Sequence, residues 1–210
     1  SVMFKEQEGS YLVGVAAAMA SKSKKLGFVG GMDIPLIRAF ACGYGQGAKA
    51  QAPKTEIVQN MVGTTAAAWN DPAKGGELAR AQFDRGVDVV FAVAGGSGMG
   101  ALQMAKEKGK LAIGVDSNQN YLHPGTMLTS MVKRVDVAIY DSFKSVQNGT
   151  WKGGVTYKGL KEGGVDWVLD KDNRKVVTPE IEKRVNAVRQ DIINGKIKVI
   201  DYRAGSSCPV

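Results

Sequence analysis

The chain has 210 residues, 44% of them hydrophobic and 23% charged, with a formal charge of +8, one histidine and two cysteines. That length holds one large domain or two modest ones, either able to bury a core, and no apolar run approaches the roughly eighteen residues that cross a bilayer. The lone His123, with no cluster of ligands around it, argues against a metal centre.

The basic residues are dispersed, and their one compact group, Lys22-Ser23-Lys24-Lys25, falls at a helix end, where lysines complement the helix dipole. With no helix-turn-helix, zinc finger or aromatic–basic RNA motif, the charge reads as a solvated surface and not as a nucleic-acid face. The opening residues SVMFKEQEGS lack the basic region and apolar core of a secretory leader, which leaves the location open. Cys42 and Cys208 decide little: a disulfide between them is open, though nothing in their spacing argues for it, and a metal site is the weaker reading.

Residues 10–22 place Tyr11, Leu12, Val15, Ala16 and Met19 on one helical face. A short buried strand at 26–31 ends in glycine, and Ile37, Phe40, Ala41, Tyr44 and Ala48 then recur at helical spacing. A second strand covers 55–63. The helix that follows is capped by Asp71, carries Pro72 in its first turn and stops at Gly86. VDVVFAVAGG is a third strand, followed by a helix closing at Gly109, and KLAIGVDSN is a fourth. Strands alternating with helices at this pitch predict a parallel sheet covered on both faces, and the near-continuous apolar strands agree.

Beyond residue 125 the rhythm changes. TMLTSMVK reads as a strand, 135–149 as a helix with Val135, Ala138, Ile139, Phe143 and Val146 on one face, and 151–170 as glycine-rich and β-like. A last helix starts at Thr178-Pro179, carries Ile181, Val185, Val188 and Ile192, and stops at Gly195; KIKVID then reads as a closing strand. Opening on a charged turn and a helix is unusual for a doubly wound domain. Together with apolar helix faces in the last 80 or so residues that lack an evident partner, it suggests that a preceding portion is absent.

In open parallel sheets the ligand crevice lies at the carboxyl ends of the strands. Reading those ends gives Gly30, Gly31 and Asp33; Trp69 and Asp71; Gly95, Gly96 and Ser97; and Asp116, with Lys133 after the strand that leaves the sheet. Each has a plainer reading: a tight turn for the glycines, a core aromatic for Trp69, a helix cap for Asp71, a turn for Asp116 and surface charge for Lys133. The glycine spacing in AGGSGMG is not G-x-G-x-x-G, and no Gly-Lys-Ser/Thr follows, so the loop is not a triphosphate cradle. G-x-S-x-G is absent and His123 has no nucleophile in pattern with it, so the sequence reads as a binding protein and not an enzyme.

FKEQEGSYLVGVAAAMAS, LGFVGGMDIPLIRAFACGYGQGAKA, WNDPAKG, AGGSGMG, GVDSNQ and LTSMVKR, in that order, resemble the basic membrane protein family. These are the PnrA-like nucleoside-binding proteins of ABC transporters. The resemblance implies a type I periplasmic-binding-protein fold, α/β with parallel doubly wound sheets in two lobes, of which this chain would hold an incomplete set. Residues 1–126 would form most of the C-terminal, ligand-binding lobe, and 127–210 the crossover, returning elements of the N-terminal lobe and the C-terminal segment; the family's opening third would be missing.

Carried over by motif, Trp69 would stack on a nucleobase, where the family more often has phenylalanine. Gly95, Gly96 and Ser97 would supply backbone and hydroxyl contacts, Asp116 would accept from ribose hydroxyls, and Lys133 would donate to sugar or base. The family resemblance implies a purine or related nucleoside as ligand, a membrane permease as partner, and no cofactor, metal or nucleic acid. It also implies a place in the periplasm or on the outer face of the membrane, with a lipid anchor on the missing segment. The truncated chain is open to self-association. The rival readings are the effector-binding half of a transcription regulator, a Rossmann-like nucleotide enzyme, and a receptor for a sugar or other small solute.

Overall fold

The structure, a computed structural model, describes residues 1–205 and 207–210. The chain opens on a three-residue strand, β1 (Val2–Phe4), too short to announce itself in the sequence, and enters helix α1 (Glu6–Ala20). Strand β2 (Lys25–Met32), helix α2 (Pro35–Gln51) and strand β3 (Glu56–Gly63) follow. A turn of 3₁₀ helix (Ala66–Trp69) leads to α3 (Pro72–Asp84), then β4 (Val89–Val93), α4 (Gly96–Glu107) and β5 (Leu111–Asp116). Strand β6 (Met127–Lys133), helix α5 (Val135–Gln147), short strands β7 (Thr156–Lys158) and β8 (Val165–Trp167), and helix α6 (Pro179–Ile193) complete the set.

Six strands form one sheet in the order β3-β2-β4-β5-β6-β8, all parallel except β8, which returns antiparallel along β6. Helices α1, α2 and α6 cover one face, around a core of Leu12, Phe28, Phe40, Tyr44, Phe91, Ile113, Leu128 and Met131. Helices α3 and α4 cover the other, over Val29, Val90, Ala101, Leu102 and Met127. Burial on both faces accounts for the unbroken apolar strands.

The capping signals act as the sequence implies. The Asp71 side chain accepts from the Lys74 N–H at the start of α3, and the Thr178 hydroxyl accepts from the Ile181 N–H at the start of α6. Helix α1 is buried on nearly every side and not on one face only, because it lies between α2, α6 and the β6–β8 edge of the sheet. Its approach to α2 runs backbone against backbone: a Cβ on Gly47 would run into the Tyr11 carbonyl oxygen, so only glycine fits.

Two expectations need correction at the chain's end. KIKVID is not a strand: the Gln46 side chain on α2 satisfies that backbone, donating to the Ile200 carbonyl and accepting from the Ile200 N–H, both at 2.9 Å. Cys42 and Cys208 are joined by a disulfide across a sequence separation of 166, which fastens the C-terminal segment around Ile200 and Cys208 as a strap along α2. Nothing in their spacing pointed to the pairing, because the tail's course along α2 is a tertiary feature.

The sheet does not stop near residue 126, since β6 and β8 extend it and α6 packs on α1. Apart from it stands a small unit in which β1 pairs in parallel with β7 and α5 lies alongside. Here Ile139, Tyr140, Phe143 and Val146 of α5 are all more than half exposed, as are Val155 and Tyr157 beside them.

Candidate functional site

The strand order reverses between β2 and β4: from β2 the chain goes outward to β3, then crosses back to β4, β5 and β6. Such a switch point leaves a crevice at the carboxyl ends of the two strands. Trp69 sits on it. A Cβ on Gly31, at the end of β2, would overlap the six-membered ring of the indole, and one on Gly95, after β4, would come within 3.3 Å of the Trp69 carbonyl oxygen and 3.6 Å of its ring. The missing side chains are what let the half-buried indole pack directly against the backbone of both strand ends. Gly95 itself has φ of +55°, a conformation that glycine adopts without strain.

Gly95 and Gly96 are exposed and open helix α4, and the next two N–H groups, of Ser97 and Gly98, donate to the Ala94 and Gly95 carbonyls at 3.1 and 3.0 Å. Ser97 behaves otherwise. Its hydroxyl is fully buried, donates to the Ala68 carbonyl at 2.8 Å and accepts from the Asp71 N–H at 2.7 Å. Both roles are taken inside the protein, so the expected hydroxyl contact with a ligand is not available, and Ser97 instead braces the loop that carries Trp69.

Asp116 ends β5 with φ of +66°, a left-handed conformation in a residue that is not glycine. Such backbone costs free energy and persists only where the surroundings enforce it, often at functional positions. Here Gln119 enforces it, accepting from the Val115 N–H at 2.9 Å while its own N–H donates to the Ser130 hydroxyl. That hydroxyl in turn donates to Asn120, which with Asn118 donates to Asp170 on the β8 return. The sequence reading missed this buttress, although two asparagines and a glutamine directly after Asp116 were a visible signal.

Lys133, at the end of β6, reaches Asp116 with 3.0 Å between Nζ and Oδ1 and lies 5.8 Å from the centre of the Phe40 ring. The Asp116 carboxylate is 54% exposed and the lysine 22%, so the pair faces solvent with the acid outermost. The edge of the sheet thus presents, strand by strand, an indole against bare backbone, two exposed glycines and a carboxylate paired with an ammonium. Asp33 is taken up by Arg38, with two contacts of 2.7 Å, and Asp71 by its cap. Among the described residues no group of three or more His, Cys, Asp or Glu side chains is placed to hold a metal.

A parallel α/β sheet with its crevice at a switch point is the architecture of a periplasmic-binding-protein lobe. The chain matches the family of PnrA-like ABC transporter substrate-binding proteins over residues 1–202, and it belongs to that family. It is 38% identical over 203 residues to basic membrane protein D of Borreliella burgdorferi strain JD1, covering 95% of this chain and 58% of the relative. It is also 38% identical over 218 residues to the ABC transporter nucleoside-binding protein BmpA of Lactococcus lactis subsp. cremoris, covering 95% and 59%. Among solved structures, an ABC transporter solute-binding protein from Aeropyrum pernix K1 superposes with a TM-score of 0.83 at 30% identity, over 96% of this chain and 66% of that one. The chain therefore spans about three-fifths of the length of its curated relatives. The family is one of substrate-binding proteins, not of enzymes.

Proposed function

We propose that the chain is the larger part of a receptor that captures a purine or related nucleoside between two lobes and hands it to a membrane permease. The observation that carries this reading is the rim itself, with Trp69 laid over Gly31 and Gly95 at the switch point and Asp116 paired with Lys133 two strands away. An indole offers a flat apolar surface to a base. A carboxylate accepts from the two hydroxyls of a ribose, and the backbone of the exposed Gly95 and Gly96 would complete a polar lining. A phosphorylated ligand would bring negative charge against Asp116 and be rejected by repulsion and desolvation.

In this reading the six-stranded sheet with α1–α4 and α6 is one lobe. The β1–β7–α5 unit is part of the other, whose remaining strands cover the exposed side of α5. Binding would stabilise the closed arrangement that the permease recognises. The receptor would work in the periplasm or on the outer face of the membrane, held by a lipid anchor on a preceding segment. Isolated, the chain would pair through the exposed α5 face, because uncovered apolar surface of this kind favours association.

Calorimetric titration of the intact protein with adenosine, guanosine, inosine and their monophosphates tests the proposal. The expected result is nucleoside binding that Asp116→Ala abolishes and Trp69→Ala weakens, with monophosphates excluded. Undiminished affinity in both variants would move the pocket elsewhere. Tight binding of a free sugar with no nucleoside affinity would favour the sugar-receptor reading.

A further inference from the structure

Asp116 sits at the centre of a turn that few residues tolerate. The Ser117 N–H donates to the Val115 carbonyl at 2.8 Å, closing three residues around a φ of +66°. Three-residue turns with a positive central φ are rare and strained, so the carboxylate keeps its place at the rim only while its flanks are held. On the strand side, Oε1 of Gln119 holds the Val115 N–H at 2.9 Å; on the loop side, the Ser130 hydroxyl holds the Gln119 N–H at 2.9 Å. Gly114 makes the room. A Cβ there would come within 2.7 Å of that Oε1 and 2.9 Å of the Ser130 oxygen.

Neither the hydroxyl nor the carboxamides fix their own direction. A hydroxyl gives or takes a proton, and a carboxamide turned over exchanges its donor for its acceptor. The direction is imposed at the far end by Asp170, which follows β8 and, as an ionised carboxylate, only accepts. Its Oδ2 takes hydrogen bonds from the Asn118 and Asn120 amides at 2.8 and 3.1 Å. With Nδ2 of Asn120 committed to the acid, Oδ1 of Asn120 is left to accept from the fully buried Ser130 hydroxyl at 2.8 Å. That hydroxyl, its one proton used, accepts from Gln119. The acid is itself anchored: its Oδ1 accepts from the Asp172 N–H, and its own N–H donates to Oδ1 of Asn173, each at 2.8 Å. Asn173 is fully buried and donates to the Leu128 carbonyl of β6 at 2.8 Å.

We propose that Asp170 is a positioning residue for Asp116: by accepting only, it sets the sense of a relay through Asn120, Ser130 and Gln119 that holds the rim carboxylate in its strained turn. An asparagine at 170 does not do the same. Its Oδ1 serves Asn118 and Asn120 only if its Nδ2 is turned onto the Asp172 N–H, donor against donor, and the opposite flip sets Nδ2 against the two asparagine amides. The effect on affinity rests on the nucleoside reading above, whereas the backbone at Asp116 does not.

The test is Asp170→Asn in the intact protein, read by the Cα and Cβ chemical shifts of Asp116, which report its φ and are assigned by their loss in Asp116→Asn. Both shifts should leave the positive-φ range, and nucleoside affinity should fall about tenfold, within the range for members of one hydrogen-bond network. Ser130→Ala cuts the same relay in its middle and should move the same shifts, a comparison that stands even where Asp170→Asn does not fold. The double variant should match the more affected single one, because a relay already broken has nothing more to lose. Asp116 shifts unmoved in either folded variant, or losses that add in the double variant, overturn the proposal. Shifts that move in both variants of a protein without nucleoside affinity uphold the positioning role and discard the nucleoside.

Discussion

Helices α5 and α6 are close in length and carry the same kind of apolar stripe, yet they end in opposite states. On α6, Ile181, Val185, Val188 and Ile192 are buried against α1 and the rest of that face of the sheet. On α5, Ala138 alone is fully buried, and Phe143 is 73% exposed. Periodicity establishes that a helix has a face to hide; what hides it is decided by tertiary contacts that the period does not encode. The six-stranded lobe supplies its own cover on both faces. The β1–β7–α5 unit, with two short paired strands, does not, and a sheet of two strands is marginal by itself.

That contrast predicts unequal sensitivity to substitution. The largest effect belongs to the strap: Cys208→Ser opens a loop of 166 residues and should lower the stability of the six-stranded lobe by about 2–5 kcal/mol, read by denaturant unfolding against the oxidised protein. Gly47→Ala should cost about 1–3 kcal/mol, since the added methyl must push α1 away from α2. Acid should act next, through the buttress. Burial alone would raise the Asp170 carboxyl, but hydrogen bonds from the Asn118 side chain, the Asp172 N–H, the Asn120 side chain and the Asn173 backbone hold it below its ordinary value of 3.8.

A carboxyl held down in the folded state contributes its full stability above the unfolded value and loses it as pH falls through the lower folded value. Unfolding followed from pH 5 downward, through and below the ordinary aspartate value, should therefore show an acid limb that Asp170→Asn flattens. The smallest effect should come from α5: Phe143→Ser should change the unfolding free energy by no more than about 0.5 kcal/mol. It should nonetheless reduce association of the isolated chain in sedimentation. A large loss of stability there would mean that α5 is packed by its own chain after all.

Much of the lobe was legible in the sequence because its signals are local. Asp71 with Pro72, Thr178 with Pro179, and glycine after a helix at Gly86, Gly109 and Gly195 all mark ends through backbone chemistry confined to a few residues. The strand ends of a parallel sheet share one edge by construction, so Trp69, Gly95, Asp116 and Lys133 could be collected before any coordinates. What stayed hidden is non-local. Val2–Phe4 becomes a strand only by meeting Thr156–Lys158, the strap only by meeting α2, and Ser97 shows its bracing role only when the Trp69 loop folds over it. Arg203 is the clearest case, because its partners Glu6 and Gln7 lie almost the whole chain away.

The left-handed backbone at Asp116 bears on any attempt to retune this rim for another solute. Lengthening the acid to glutamate would change more than reach: side chains other than asparagine, aspartate and glycine pay extra to occupy that conformation, so part of any lost affinity would come from main-chain rearrangement. A biosensor designer would do better to keep the aspartate and vary Ser117 beside it, or to place a reporter dye on Met99, which is exposed at the rim and touches Gln119 of the same turn.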